Sequence, residues 1–405
     1  MTSLKTDSTF IDTMPEIKSK SVTTAQFVQY TILNYFDQIS FTHDQTKRFY
    51  NSVVIDPETR KIISIGAPRA YEFDLFRKVF PVCDETIVAE EMVEGVSIQL
   101  FFEFRTGKWE IATRNSVGGN YAYYRLPGQT SKTYRDMLFD AMGMAKEVDG
   151  VQRQIEQWPG CKYLQASNCY HFIVRHPENH IILKTQTPRL YFIGHTELHC
   201  NETLNRVKYH SSQGQNIFPC NELSIKIPKA VFTQLDPASY EEFLERKDTM
   251  NGTMGISFFN RNTGERSFVI NTEYKNLQML RGTHPNLLYQ YICLQRIDKI
   301  SDFLKHFPQY KRIFHIFRDM YDILIRDIHQ SYIQFYIRKS NMIIDKSISF
   351  HIHYLHSNIY KPSLYNAVKT IIKKEIVREY VNTLEPGCIL HLIQREKYKE
   401  SNLVR

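Results

Sequence analysis

A chain of 405 residues is long enough for two or three domains, and 42% apolar with 23% charged residues excludes an intrinsically disordered polypeptide. A net charge of +8, from 51 basic and 43 acidic residues, is too small for a protein that coats DNA and favours a polyanionic partner only mildly. The 25 Tyr and 26 Phe supply core volume and ring faces suited to base stacking. Seven cysteines without a C-x-x-C pair fit a reducing compartment, where they act as small buried residues. The first twenty residues hold no apolar signal segment, and no run of 18 apolar residues occurs. A soluble, cytoplasmic chain with no membrane partner is the expectation.

Residues 1–22 are polar and rich in Ser, Thr and Lys, which predicts a flexible N-terminal segment. Thr23 to Phe36 has helical spacing through Phe27, Tyr30, Thr31, Leu33 and Phe36. Ser52 to Ile55 and Lys61 to Ile65 are β-branched runs around Asp56-Pro57-Glu58-Thr59, a hairpin signature. Asp74 to Val79 reads as a short aromatic helix or turn. Strands are expected at Thr86 to Met92, Val96 to Phe104, Trp109 to Thr113, Tyr170 to Val174, Ile181 to Lys184 and Arg189 to His195. Helices are expected at Thr133 to Val148 and Tyr240 to Lys247, then a hairpin from Thr253 to Asn271. Beyond this the pattern turns helical. Tyr310 to Lys339 carries one long apolar stripe, and Ser347 to Tyr360 and Tyr365 to Leu384 follow, split by Lys361-Pro362. The expected organisation is an α+β domain over 23–290 and an all-helical domain over 291–405.

Five segments carry the chemistry, in chain order: Met92-Val93-Glu94-Gly95; Ala112-Thr113-Arg114-Asn115-Ser116; Tyr170 to Ile182; Thr253-Met254-Gly255-Ile256; and Ser267 to Tyr274. Together, over roughly Asn51 to Arg281, they resemble the nucleotide-pocket motifs of RNA ligases of the phage T4 RNA ligase 1 type, in the covalent nucleotidyltransferase superfamily. The resemblance implies a ligase adenylation-type fold, with Leu190-Tyr191-Phe192-Ile193 as the strand that flanks the base. It also extends, through Leu280-Arg281-Gly282 and the helical tail, to uncharacterised ligase-like proteins of large cytoplasmic DNA viruses. Host cytoplasm or virion is the location that likeness implies.

The family's chemistry needs a lysine that takes AMP covalently, carboxylates for ribose or metal, and two late-strand lysines for the triphosphate. Met92 stands at the nucleophile position, and a thioether forms no phosphoramidate. Ile173 and Met254 replace two glutamates; Val269 and Asn271 replace the two lysines. No catalytic residue is therefore expected. Glu94, Gly95, Arg114, Phe172, Arg69 and Arg281 remain as nucleotide- or RNA-binding candidates, Arg by bidentate phosphate contact. Glu94 serves equally well as a ribose contact or as a turn-capping carboxylate. Lys78 and Lys108 are the nearest substitute lysines, and a solvated surface position is the plainer account of both. His195 to Cys200, with Cys220, fits no common zinc spacing, so no metal is expected. The cluster Lys369, Lys373, Lys374 and Arg378 suits either a solvated face or RNA.

Three functions fit. One is a pseudoenzyme that binds RNA ends, nucleotide or a partner protein. Another is an active joining or capping enzyme that uses displaced residues, with ATP and Mg as its cofactors. The last is a purely structural subunit.

Overall fold

A computed structural model of the chain describes residues 2–6, 14, 16–35, 46–122, 132–144, 153–179, 182–200, 205–213, 217–231, 239–340, 344–365 and 370–395. The fold is α+β with a helical C-terminal region, and the chain divides into two compact units, Met1–Gln278 and Met279–Arg405. The division falls ahead of the 290 position that the sequence pattern suggests.

The first unit holds three sheets. Strand β1 (Thr2–Leu4) belongs to the largest of them, and β2 (Ile17–Thr23), β3 (Gln29–Tyr35), β4 (Val53–Ile55) and β5 (Ile62–Ser64) form a four-stranded antiparallel sheet in that order. The described part of the expected flexible segment thus forms two strands. The expected helix from 23 to 36 is also corrected, because Gln29–Tyr35 is β3. It is buried on both faces, so its continuous apolar run imitates helical spacing. Phe27 sits outside it in a turn, 88% exposed.

A three-stranded sheet has the order β15-β14-β6, formed by β6 (Ile87–Glu91), β14 (Gly255–Asn260) and β15 (Arg266–Ile270). The largest sheet has eight strands. Its path is β1-β12-β11-β10-β7-β8-β9, with β13 (Ile225–Lys226) parallel to β11. Here β7 is Val96–Glu103, β8 Lys108–Thr113, β9 Ser116–Val117, β10 Asn168–Arg175, β11 Arg189–Cys200 and β12 Asn205–Ser211. Alternation along β7 places Phe101 in the core under the four-stranded sheet, while Ile98 and Leu100 face the other way. That second core includes Trp158, Phe172, Phe192, Phe218 and helix α2 (Tyr134–Ala141), which opens with a Thr133/Asp136 capping box. The start of the expected Thr133 to Val148 helix is α2, and positions 145–148 lie outside the described residues. Helices α1 (Phe73–Val79) and α3 (Tyr240–Arg246) cover one face of the three-stranded sheet around Phe258. Of the strand expected at Ile181 to Lys184, residues 182 and 183 form bends, Lys184 is irregular, and position 181 lies outside the described residues.

His171 on β10 is buried and bonded to Thr196 at 2.8 Å, and burial pushes its pKa down to about 3 from 6.5. It stays neutral when folded, whereas the unfolded chain takes a proton below about 6.5. Stability is therefore lost as pH falls from about 6.5 towards 3, at up to about 1.4 kcal/mol per pH unit from this group. Urea midpoints measured across that range should show a shallower slope for His171→Gln. An unchanged slope would remove His171 as the cause.

In the second unit, α4 (Thr272–Arg281) ends at its start. α5 (Leu287–Arg296) is capped by Asn286, whose Oδ1 accepts from Leu288 and Tyr289. α6 (Ile300–His306) follows, then α7 (Lys311–Tyr332), the spine of the unit. The predicted stripe is its core face: Phe314, Phe317, Tyr321, Leu324, Ile325, Ile328 and Tyr332 are buried. A wide turn at Ile333–Ile337 ends it and leaves Phe335 exposed. α8 (Lys346–Tyr354) runs through a second wide turn, Leu355–Tyr360, into α9 (Lys361–Ser363). Lys361 and Pro362 thus lie inside the first helical run, and the second begins at Lys374 rather than at the expected Tyr365. α10 (Lys374–Thr383) and α11 (Pro386–Ile393) pack on α7, with Tyr321 Oη donating to Asn382 Oδ1 at 2.5 Å.

Candidate functional site

The segment Met92-Val93-Glu94-Gly95 is where the chain leaves β6 and enters β7, passing from the small sheet to the large one. Backbone bonds draw Met92, Met254 and Asn271 together. Met92 N–H donates to Gly255 (2.9 Å), Met254 N–H to Met92 (3.1 Å) and Asn271 N–H to Met254 (2.9 Å). Ile173 joins them through its Cγ2 methyl, which lies against Gly95. None of these four side chains carries a charge.

Glu94 is 4% exposed and fully engaged within the chain. Its Oε1 accepts from Ile182 N–H (2.9 Å) and Tyr274 Oη (3.0 Å), and its Oε2 from Leu183 N–H (2.7 Å). Burial pushes its pKa up, against the opposite pull of those donors and of Arg175. Glu94 thus ties the residues after β10, and α4, to the β6–β7 link; it is a fold-holding carboxylate rather than a ribose contact. Gly95 has a comparable role. A Cβ there would stand 2.5 Å from Val174 O, so only glycine lets β7 approach β10.

Asn271 caps α4, its Oδ1 accepting from Tyr274 N–H (3.0 Å) and its Nδ2 donating to Lys247 O (2.8 Å). Val269 pairs with Ile256 and faces the α1/α3 core, so it lies on the opposite face from Glu90. Val269 is therefore not gathered with Met92, Ile173, Met254 and Asn271. A single-residue step along a strand exchanges faces, and the face towards the large sheet belongs to Arg266, Phe268 and Ile270. Phe268 lies in one row with Ser257 and Glu90, and is 39% exposed.

The two sheets are joined by polar groups, with Tyr209 and Glu90 buried and Arg266 and Gln213 half-buried. Arg266 Nη1 donates to Tyr209 Oη at 3.4 Å, and Gln213 Nε2 to Glu90 Oε2 at 2.9 Å. Burial pushes the Glu90 pKa up, and Gln213 and Arg266 oppose this. On the facing side of the large sheet, strand pairing places Ser97, Ile173, Arg175, Tyr191, Arg189 and Lys226 on one face at the end nearest Gly95. Arg189 and Lys226 are exposed and Arg175 is half-buried. These cations and Phe268 are missed by motif comparison. The available signal is spacing: Arg175 and Ile173 are two apart on one strand, and Phe268 and Arg266 on another.

The other candidates are dispersed. Arg69 and Arg114 lie close enough for the charge of Arg114 to depress the Arg69 pKa, after burial as the larger cause. They are not joined to Glu94, whose charged neighbour is Arg175. Phe172 is fully buried between Trp158, Phe192 and Phe218, so its ring has no face for a base. Arg281 is buried in the helical unit with its guanidinium 5.5 Å from the Tyr310 ring. Lys78 is exposed on α1. Lys108 pairs with Glu103 at the far end of β7, about 26 Å along the strand from Gly95 at roughly 3.3 Å per residue. Lys373 and Lys374 are exposed, Arg378 pairs with Asp322 at 2.7 Å, and Lys369 lies outside the described residues.

A cleft of about 700 Å³ opens elsewhere, near β8 and α2. Its cations are matched by acids: Arg135 pairs with Glu110, and Arg153 with Asp136 at 3.1 Å. Its mixed charge gives no preference for phosphate.

No protein-family model matches this sequence, and no curated protein is similar to it in sequence. Among solved structures, the chain is similar to a proposed ATP-dependent DNA ligase from Aquifex aeolicus, with 14% identity, 87% of each chain covered and a TM-score of 0.40. An archaeal ATP-dependent RNA ligase is similar at 11% identity over 77% of this chain and 70% of that one, TM-score 0.40. A Naegleria gruberi RNA ligase mutant with ATP and Mn is similar at 12% identity over 53% and 58%, TM-score 0.36. No helix among the described residues is long and apolar enough to cross a membrane.

Proposed function

We propose that this is a ligase-like protein that does not self-nucleotidylate and binds RNA ends between its two facing sheets. The observation that carries the proposal is the gathering of Met92, Ile173, Met254 and Asn271 at the β6–β7 link, where the ligase family places charged groups. No side chain among them attacks a phosphate or holds a metal. Beside them stand an exposed ring, Phe268, and three cations, Arg175, Arg189 and Lys226. Ring stacking with flanking cations is the recipe for holding single-stranded nucleic acid. On this reading the protein works in cytoplasmic RNA metabolism, with RNA itself as the partner.

The test uses labelled ATP or GTP with Mg²⁺. Wild type should form no acid-labile protein–nucleotide adduct. Met92→Lys should form none either, because the lysine returns without its glutamates and late-strand lysines. An adduct on wild type would end the pseudoenzyme reading. The RNA arm measures binding of a short single strand against salt. Phe268→Ala should weaken it by about 1–3 kcal/mol, and Arg175→Ala should reduce the log–log salt slope by about 1. Binding that is absent, or indifferent to both changes, would leave only a structural role.

A further inference from the structure

We infer that His195, Glu197 and His210 form a binding site for one divalent cation of the zinc class, pinning β11 to β12 far along the large sheet from Met92. The three residues come from neighbouring antiparallel strands. His195 and His210 are direct partners, and Glu197 lies two residues beyond His195 on the same face. Gly194 permits this pairing: a Cβ there would stand 2.2 Å from His210 O and force the strands apart.

The ligating atoms of the three side chains all lie within 4.8 Å of one another. His210 Nε2 is 3.1 Å and His195 Nε2 4.0 Å from Glu197 Oε1. Ligands about 2.0–2.2 Å from zinc sit roughly 3.3 Å apart in a tetrahedron, so the set closes on an ion by side-chain rotation alone. Glu197 and His210 are 34% and 19% exposed and have room to turn, while His195 is 6% exposed and held beside Tyr170.

Two further observations point to a ligand. His195 Nδ1 is buried without a hydrogen-bond partner, and His210 Nε2, equally buried, meets only the Glu197 carboxylate, so the pair of imidazoles is under-satisfied as it stands. The two rings are stacked in parallel, 4.7 Å apart and 7° from coplanar, with one carboxylate beside them. Two imidazoles and a carboxylate suit a borderline cation better than Mg²⁺ or Ca²⁺, which prefer oxygen. His199 lies on the same face, with Nε2 3.7 Å from Glu197 Oε2, and offers a fourth ligand where water does not. Cys200, by contrast, turns its thiol towards Ile62 O and stays outside the set. Among the described residues this is the one grouping of three or more metal-ligating side chains. The sequence pattern hides it because His210 comes from a different strand.

The experiment titrates metal-stripped full-length protein with Zn²⁺ in competition with a chromogenic chelator, and with Co²⁺ by visible absorption. Wild type should bind one equivalent, with Co²⁺ d–d bands and no thiolate charge-transfer band. Glu197→Gln, which preserves size, and His210→Ala should each weaken Zn²⁺ at least about tenfold. Far-UV circular dichroism should match wild type. Zn²⁺ should raise the Tm of wild type by a few degrees and leave Glu197→Gln unmoved. Absence of stoichiometric uptake overturns the inference. So does a thiolate band, which would place the ion on a cysteine, or uptake indifferent to both substitutions.

Discussion

Glu94→Ala should lose about 3–5 kcal/mol of unfolding free energy, because it strands three donors at once. Ile182 N–H, Leu183 N–H and Tyr274 Oη all end on this one carboxylate, which is 4% exposed. Removing a single donor is far milder: Tyr274→Phe should lose about 1 kcal/mol. Chemical denaturation of the three proteins gives the comparison. A Glu94→Ala protein within 1 kcal/mol of wild type would show that the carboxylate does not hold these elements. Glu94→Gln should fall between them, since an amide NH₂ group placed against an N–H donor leaves that donor unmet.

Gly95→Ala should cost about 2–4 kcal/mol by a different route. The new methyl would meet Val174 O at 2.5 Å and Ile173 Cγ2 at 2.6 Å. The side-chain clash is relieved by Ile173→Ala, but the carbonyl is fixed by the pairing of Val174 with Val96 and Leu190. The double variant should therefore stay unstable. Thermal melting and amide exchange along β10 report the damage, and full rescue by Ile173→Ala would assign the strain to the side chain alone. The two effects together separate the roles within this segment: Glu94 and Gly95 hold strands together, whereas Met92 enters the fold through its backbone.

Much of the architecture is legible in the sequence, for reasons visible in particular elements. Strands β6, β7, β8, β10, β14 and β15 are β-branched or aromatic runs punctuated by turn residues, and they form where those signals lie. The stripe of α7 is equally plain, because seven apolar residues at helical spacing must share one buried face. Gln29–Tyr35 misleads, since a strand covered on both sides loses its alternation. The candidate site is less legible. The motif resemblance groups Met92, Ile173, Met254, Val269 and Asn271; backbone bonds and packing bring four of these together, whereas one step of register turns Val269 to the helices. It also selects Phe172, whose aromatic character reflects a core position. Phe268, Arg175 and His210 escape notice because each matters only through a partner strand distant in sequence.

That β6 pairs with β14 also has a consequence for how the chain comes off the ribosome. Residues near 90 find their hydrogen-bonding partners near 230 on one edge and near 256 on the other, and Thr2–Leu4 find theirs near 206. Synthesis must pass β14 before β6 can be paired along that edge. Until then a nascent chain presents Ile87–Glu91 as an open strand edge, a template for association with other chains. Such long-range closure is intrinsically slow, which lengthens the period over which that edge stays open.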